Sequence, residues 1–304
     1  MNPPISVLTV CYNSETDVVR CLASLYRYVD PELFEVVLIN NSPDDTEAIV
    51  RARFPAVRVL PSQGNIGFGP ANNVCAKHAT GDYLLLLNPD TELQDDALSP
   101  LLKLAREYPS AAAWGGVTVL PNESVDPSCL QVAPSLLHEL NILTGWSKLS
   151  SLISPPITTQ LAERRVLSGA FMMVERNLWN EVEGFDESFF LYSEEVDLCA
   201  RLCDRRGAVC LRSPDARLVH YVGSSSPSSM RGVYINRGKM HFAWKRKSRA
   251  FRIVLLNILI LQAASRGMLQ ELVRLAKRKK PETPNPYFVI LMQISQWKNG
   301  YNDF

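Results

Sequence analysis

Between Phe189 and Leu202 the chain reads FFLYSEEVDLCARL, which sets three carboxylates, Glu194, Glu195 and Asp197, behind an aromatic run at the start of a helical pattern. Like charges grouped this closely repel, and an apolar wall beside them raises a carboxylate's proton affinity. A carboxylate tuned in that way suits removal of a proton from a hydroxyl near neutral pH. A structural account competes with this one: Ser193 can cap the helix, acids in a first turn suit the helix dipole, and Asp197 and Arg201, four apart, can pair on the surface. That account leaves the FFLY lead-in unexplained.

Two further places carry groups able to do chemistry. Asn88-Pro89-Asp90 follows the apolar run DYLLLL. An acid at the exit of a buried strand can hold a hard divalent cation that bridges nucleotide phosphates, or it can cap a turn. His220 closes ARLVH, where an imidazole either joins a metal shell or is satisfied structurally. The loop GNIGFGPANN is rich in glycine and can approach a phosphate or sugar closely. It matches neither G-x-G-x-x-G nor a P-loop with its lysine, which argues against a nicotinamide dehydrogenase.

These groups need a frame. With 304 residues the chain suits one large domain plus an appendage, or two modest domains. The runs ISVLTV, EVVLIN, VRVLP and DYLLLLNP read as strands buried on both faces, and SETDVVRCLASLYRYV and PANNVCAKHA between them have helical spacing. A βαβα rhythm predicts an α/β fold, a Rossmann-like and mostly parallel sheet flanked by helices. Ligands of such sheets bind beyond the carboxyl ends of the strands. The residues there are Cys11 to Ser14, Asn40 to Asp45, Gln63 to Gly69 and Asn88 to Thr91, mostly small, polar or acidic. Farther on, AAAWGGVTVL and VLSGAFMMV read as strands, AVCLRSPDARLVH as a return strand pair, and Pro121 to Arg165 as irregular.

The remaining patterns bound the setting. A net charge of +1 excludes a strongly basic or acidic protein, and no nucleic-acid fold signature is present. The opening MNPPISVLTVCY reads as a first strand rather than a secretory signal, so a cytoplasmic start is expected. Seven cysteines lie scattered without a C-x-x-C pair, and Cys199 and Cys203, one helical turn apart, are expected to pack in the core. GSSSPSSMRG reads as a loop. From Arg231 to Lys280 the only acid is Glu271, and inside this basic stretch FRIVLLNILILQAA is too short to span a bilayer comfortably. Basic flanks suit a helix lying on an anionic membrane, and packing on a second subunit of a homo-oligomer is the alternative.

Taken in order, YN, NNSPDD, NIGFGPANN, LLLNPDT, the block from LSGAFMMV to EEVDLCARL, and ARLVHYVGSSS resemble the family 2 inverting glycosyltransferases, in their bacterial rhamnosyltransferase-like branch. The resemblance implies a GT-A fold over residues 1–226 and a basic, partly apolar helical extension over 227–304. It also implies a nucleotide-sugar donor (dTDP-rhamnose or a UDP-sugar), a Mg²⁺ or Mn²⁺ cofactor, and a growing, lipid-linked cell-surface glycan as acceptor at the inner face of the membrane. By position, Asp90 and His220 fall in the metal or diphosphate shell. Tyr12, Asn13, Asn40 and Asp44 fall in nucleotide-binding loops, and Asn65, Gly67, Asn72 and Asn88 on the donor side. Glu195 falls at the catalytic base, with Glu194 and Asp197 shaping the site. Two departures stand out: Ile39 replaces the acid that commonly precedes Asn40, and Glu replaces Asp at 195. They keep a non-catalytic binding homologue open, and a sugar nucleotidyltransferase remains the other alternative.

Overall fold

The computed structural model describes residues 3–146, 161–221, 228–278 and 284–302. Alternation across the pleat decides where its strand residues go. In β1 (Ile5–Cys11) Val7 faces one hydrophobic layer and Leu8 the other; β2 (Phe34–Asn40) repeats this with Leu38 and Ile39, and β4 (Tyr83–Leu87) with Leu85 and Leu86. Strands apolar on both faces must be covered on both faces. Helices α1 (Glu15–Tyr28), α2 (Thr46–Arg53) and α4 (Leu98–Glu107) supply one layer. Helices α3 (Phe68–His78), α6 (Arg176–Glu181) and α7 (Glu194–Arg206) supply the other. Cys199 and Cys203 lie inside that second layer, as core packing requires.

The sheet is completed by β3 (Arg58–Val59), β5 (Thr91–Leu93), β6 (Trp114–Val119), β7 (Ala162–Arg164), β8 (Phe171–Glu175) and β9 (Cys210–His220). Its order is β3-β2-β1-β4-β8-β6-β9-β5, with β7 also on β9. The N-terminal strands β1 to β4 pair in parallel, and β6 runs parallel to β9. Strands β8, β5 and β7 enter antiparallel.

Three expectations change. AVCLRSPDARLVH is one 11-residue strand rather than a pair. Its Pro214 is absorbed where the β6–β9 register shifts between Gly115 and Val117, and a bulge is one of the few places a proline fits in a sheet. Pro121 to Arg165 is not wholly irregular, since it holds a 3₁₀ turn at Pro127–Leu130, helix α5 (Leu136–Thr144) and β7. Part of GSSSPSSMRG lies outside the described residues, and from Ser228 the chain is already helical.

The chain divides into two compact units, the first comprising Met1–Ala133, Ile157–Phe190 and Glu195–Ser225, the second Pro134–Pro156, Leu191–Glu194 and Ser226–Phe304. The second unit includes α5 and the four residues Leu191–Glu194, which the division of the chain into 1–226 and 227–304 does not place there. In that unit α8 (Ser228–Arg246), α9 (Arg249–Ala276), α10 (Pro286–Met292) and α11 (Ile294–Trp297) enclose Val233, Met240, Leu255, Leu259, Ile290 and Trp297. The Glu139 carboxylate of α5 is fully buried here, 2.6 Å from Lys239 Nζ and accepting from Gln262 Nε2 at 3.0 Å. Such partners are what make a buried charge tolerable. FRIVLLNILILQAA, expected to be too short for a membrane, belongs to the 28-residue α9, which is long and apolar enough by length and composition to cross one. Its Leu255, Ile258, Leu259 and Ala263 are nevertheless buried in the unit.

Gly116 sits at the bulge, where a built Cβ would meet Phe171 Cε1 at 2.3 Å and the Ala216 carbonyl oxygen at 2.4 Å. Gly116→Ala is therefore expected to destabilise the protein by about 1–3 kcal/mol through overpacking. Urea unfolding checks this, and an unchanged midpoint would show that the bulge has room to spare.

Candidate active site

The strand exits of the first unit are tied to one another by backbone and amide contacts. Asn13, just past β1, takes a left-handed backbone (φ 51°) that asparagine tolerates better than most side chains, and its N–H donates to Ser42 Oγ at 3.0 Å. At the end of β2, Asn40 is buried and donates through Nδ2 to the Ser42 carbonyl and to Asp44 Oδ1, both at 2.8 Å. Burial would raise the Asp44 carboxyl, but hydrogen bonds from Thr46, Ser42 and Asn40 outweigh it and hold the group below its ordinary value. Asn40 and Asp44 thus shape one turn together. Ile39 is fully buried in the helix-covered sheet face, so that position offers a ligand nothing.

The glycine-rich loop is fastened from two sides. Asn41 Nδ2 donates to the Gly67 carbonyl at 3.0 Å, and Phe68 N–H donates to the Phe190 carbonyl at 3.1 Å. Gly67 has φ 93°, and a Cβ there would lie 2.6 Å from the Phe190 oxygen, so no other residue fits. Asn65 Oδ1 accepts from Gly67 N–H at 3.3 Å, and Asn72, buried in α3, donates to the Phe68 carbonyl at 3.0 Å. The aromatic lead-in to the carboxylates is therefore the wall against which this loop turns. Tyr12 is exposed at the rim of the β1 exit.

Asn88 and Asp90 hold the next exit. Asn88 N–H donates to the Ala170 carbonyl at 3.1 Å, and its own carbonyl accepts from Thr91 Oγ1 at 2.7 Å. Asp90 is buried, with Oδ1 at 3.2 Å from His220 Nε2. Pairing of Thr91 with His220 across β5 and β9 brings the two together from 130 positions apart in sequence. The other ring nitrogen, Nδ1, lies 2.6 Å from Asp126 Oδ2. Asp126 in turn accepts from Thr118 Oγ1 at 3.0 Å and from the Ser128 N–H at 2.9 Å and its hydroxyl.

Burial alone would lower the His220 pKa, but hydrogen bonds to Asp126 and Asp90, reinforced by their charges, push it up to about 9. Burial would likewise raise Asp126, and the His220 and Ser128 hydrogen bonds bring it down to about 2. Among the described residues no group of three or more His, Cys, Asp or Glu side chains is arranged to hold a metal ion. Asp90 and His220 nevertheless converge, and they would fit a cation taking its other ligands from phosphates and water if that cation displaced the Nε2 proton while Asp126 kept the proton on Nδ1.

The carboxylates of the opening stretch are buried: Glu194, Glu195 and Asp197 are 4%, 7% and 2% exposed. Asp197 does pair with Arg201, Oδ2 to Nε at 2.7 Å, with the carboxylate buried and the guanidinium partly exposed, and Arg201 also donates to the Val182 carbonyl. Ser193 takes φ 71° instead of the extended backbone usual at an N-cap. Glu195 lies beside the Ser168–Ala170 turn, where a Cβ on Gly169 would stand 3.7 Å from Glu195 Cβ and 3.3 Å from Phe68 Cε1. The same turn receives the Asn88 N–H at Ala170 and, through Ser168 Oγ, reaches Ser128 at 3.4 Å. One short turn therefore links the base candidate, the glycine-rich loop and the Asp90–His220–Asp126 chain. Asp126 was not legible as a site residue. Its only signal is the Asp-Pro pair that opens a 3₁₀ turn, and its partner is 94 positions away.

Residues 6–128 match the family described as Glycosyl transferase family 2. Over 310 residues, 92% of this chain and 97% of the relative, the sequence is 28% identical to the N-acetylglucosaminyl-diphospho-decaprenol L-rhamnosyltransferase of Mycobacterium tuberculosis. It is 24% identical to the rhamnosyltransferase WbbL of Escherichia coli K12 over 65% of this chain and 76% of that one. Among solved structures, the mannosyltransferase PcManGT of Pyrobaculum calidifontis, in complex with GDP-Man and Mn²⁺, superposes with a TM-score of 0.60 at 16% identity, covering 98% of this chain and 86% of that one. With its mixed, mostly parallel sheet in the GT-A arrangement, the chain is similar over residues 6–128 to the family 2 glycosyltransferases and, over most of its length, to a rhamnosyltransferase.

Proposed function

We propose that this glycosyltransferase moves a rhamnosyl group, with inversion, from a nucleotide-diphosphate donor to a hydroxyl of a lipid-linked glycan. The observation that carries the reading is the Asp90–His220–Asp126 chain joined through one turn to a buried Glu195. A site of this kind combines a place for a donor's diphosphate with a base beside it. The acceptor is proposed from the likeness over nearly the whole chain to an enzyme named for a diphospho-decaprenol acceptor.

In this reading the acceptor oxygen attacks the anomeric carbon from the face opposite the diphosphate, and the bond to the diphosphate breaks with its electron pair leaving on the diphosphate oxygen. Glu195 takes the hydroxyl proton, and Arg201 holds Asp197 so that the first turns of α7 keep their orientation. Asn13, Asn40, Asp44, Asn65, Gly67, Asn72 and Asn88, with Tyr12 at the rim, form the donor-side loops, which position the sugar for in-line attack. Asp90 and His220 are the residues that would hold Mg²⁺ or Mn²⁺; when bound, the cation supplies positive charge that offsets charge developing on the departing diphosphate.

Access to a lipid-linked acceptor is supported by α9. Its Val254, Leu261, Met268, Leu272 and Leu275 are exposed and recur at intervals of seven, four and three, which places them on one side of the helix. Exposed Lys245, Lys247 and Arg249 stand near one end and Lys277 and Arg278 near the other. We propose that this ridge rests on the inner face of the cytoplasmic membrane.

Purified protein assayed against dTDP-, UDP- and GDP-sugars with a polyprenyl-diphosphate-linked acceptor tests the chemistry. One donor is expected to be consumed, with loss of turnover in EDTA. Glu195→Gln is expected to lower kcat by about 10²- to 10⁴-fold while donor binding persists. Donor turnover that survives both EDTA and Glu195→Gln would overturn the assignment. Asp126→Asn removes the charge behind His220 and is expected to weaken Mn²⁺ binding by about 10- to 100-fold, measured by titration calorimetry with donor nucleotide present. For the membrane arm, sedimentation with anionic vesicles should fall sharply for the Leu261→Glu, Leu272→Glu double variant and with added salt; equal sedimentation of variant and wild type would remove the ridge from the reading.

A further inference from the structure

The four residues Leu191–Glu194 belong to the second unit, although they lead without a break into Glu195. Their backbone is strained: Tyr192 and Ser193 have φ of 66° and 71°, two successive left-handed residues, neither of them glycine. Such a conformation costs free energy and persists only where its surroundings over-determine it. Within the second unit two features do so.

On one side stands α8, whose Gly238 closes on this strap. A Cβ at 238 would lie 2.1 Å from the Tyr192 carbonyl oxygen and 3.0 Å from Ser193 Oγ. On the other side stands Tyr301. Its phenol hydroxyl accepts from the Leu191 N–H at 3.1 Å and donates to the Leu191 carbonyl at 2.5 Å. One side chain thereby satisfies both backbone groups of a residue that has no strand partner, as a neighbouring strand would. Burial pushes the phenol up from its ordinary value, so the hydroxyl keeps the proton it donates.

Tyr301 is itself held by the same helix. Arg237 Nε donates to the Gly300 carbonyl at 2.9 Å, and the Arg237 guanidinium lies 4.6 Å from the Tyr301 ring centroid. The Tyr301 N–H donates to His241 Nδ1 at 3.1 Å. Gly300 has φ 67°, and a Cβ there would stand 2.6 Å from His241 Cα. Three residues of α8 spaced one, three and four apart, Arg237, Gly238 and His241, thus fix both the strap and the turn that clamps it.

We infer that Tyr301 is a positioning residue for catalysis: its hydroxyl holds the Leu191–Glu194 strap in the left-handed turn that sets where helix α7 begins, and with it the direction of the Glu195 carboxylate. The inference rests on the reading of Glu195 as the base. The donor-side loops belong to the first unit's strand exits and are not part of this clamp.

Tyr301→Phe removes the hydroxyl and keeps the ring, and Gly300→Ala displaces the same turn by a different route. Both are compared with wild type at a temperature where circular dichroism shows all three folded. Rhamnosyl transfer is expected to fall by about 10²-fold in kcat, with the donor KM unchanged, because a misplaced base loses rate without losing donor affinity. Hydrogen exchange read by mass spectrometry is expected to rise over Leu191–Glu194 and to stay the same in α9. A wild-type kcat in Tyr301→Phe overturns the inference, as does unchanged exchange in the strap. A parallel loss of kcat and donor affinity with exchange raised throughout also overturns it, by showing a general loss of stability. If wild-type protein transfers no sugar to any acceptor, the functional reading fails instead, and the exchange arm still decides whether Tyr301 holds the strap.

Discussion

A buried imidazole between two buried carboxylates is the constraint around which the first unit is arranged. His220 is reached by Asp90 from the exit of β4 and by Asp126 from the connection after β6. Charges taken out of water must be paired and hydrogen-bonded or they unfold the region that holds them. The antiparallel entry of β5 against β9 follows from that demand, since it is the pairing of Thr91 with His220 that sets Asp90 against the ring. Asp126 then needs its own donors, and Thr118 and Ser128 supply them. Fixing Nδ1 in this way aims Nε2 at Asp90, so the ring is held between the two carboxylates.

The strand exits form a site because they are tied across the sheet, not because each loop is rigid alone. Asn41 reaches Gly67, the Phe68 N–H reaches Phe190, and the Asn88 N–H reaches Ala170. Each tie joins segments far apart in sequence. Glycine is obligatory at 67 for the positive φ and the 2.6 Å approach of the Phe190 oxygen. A loop held by backbone groups in this manner presents its remaining polar atoms at fixed places, which lowers the entropy lost when a ligand binds.

The second unit has a different logic. Its core is built around α8 and α9, with the buried Glu139 paired to Lys239 as a polar link among apolar helices. Removing water from such a pair gains little net stability over an apolar pair of the same volume, but it disfavours any arrangement that separates the two charges. The strap before α7 depends on comparable specificity, because its two left-handed residues are held by contacts to a helix and a turn more than forty positions later.

What the sequence by itself determined is local and periodic. Runs apolar at every position announced strands covered on both faces, the exits after them were polar in plain sight, and Asn88, Asp90, Glu195 and His220 stood at those exits or in a conspicuous acidic block. The glycine-rich stretch was equally legible, because a required positive φ leaves few residue choices. Tertiary structure alone decided the partners. Asp126 pairs with a histidine 94 positions away, the buried Asp197 pairs with a partly exposed Arg201, and Pro214 is accommodated where the β6–β9 register shifts. The clamp of Tyr301 on Leu191 spans 110 positions. Contacts of that range depend on register, crossover and burial settled by the whole chain at once, and no pattern of neighbouring residues encodes them.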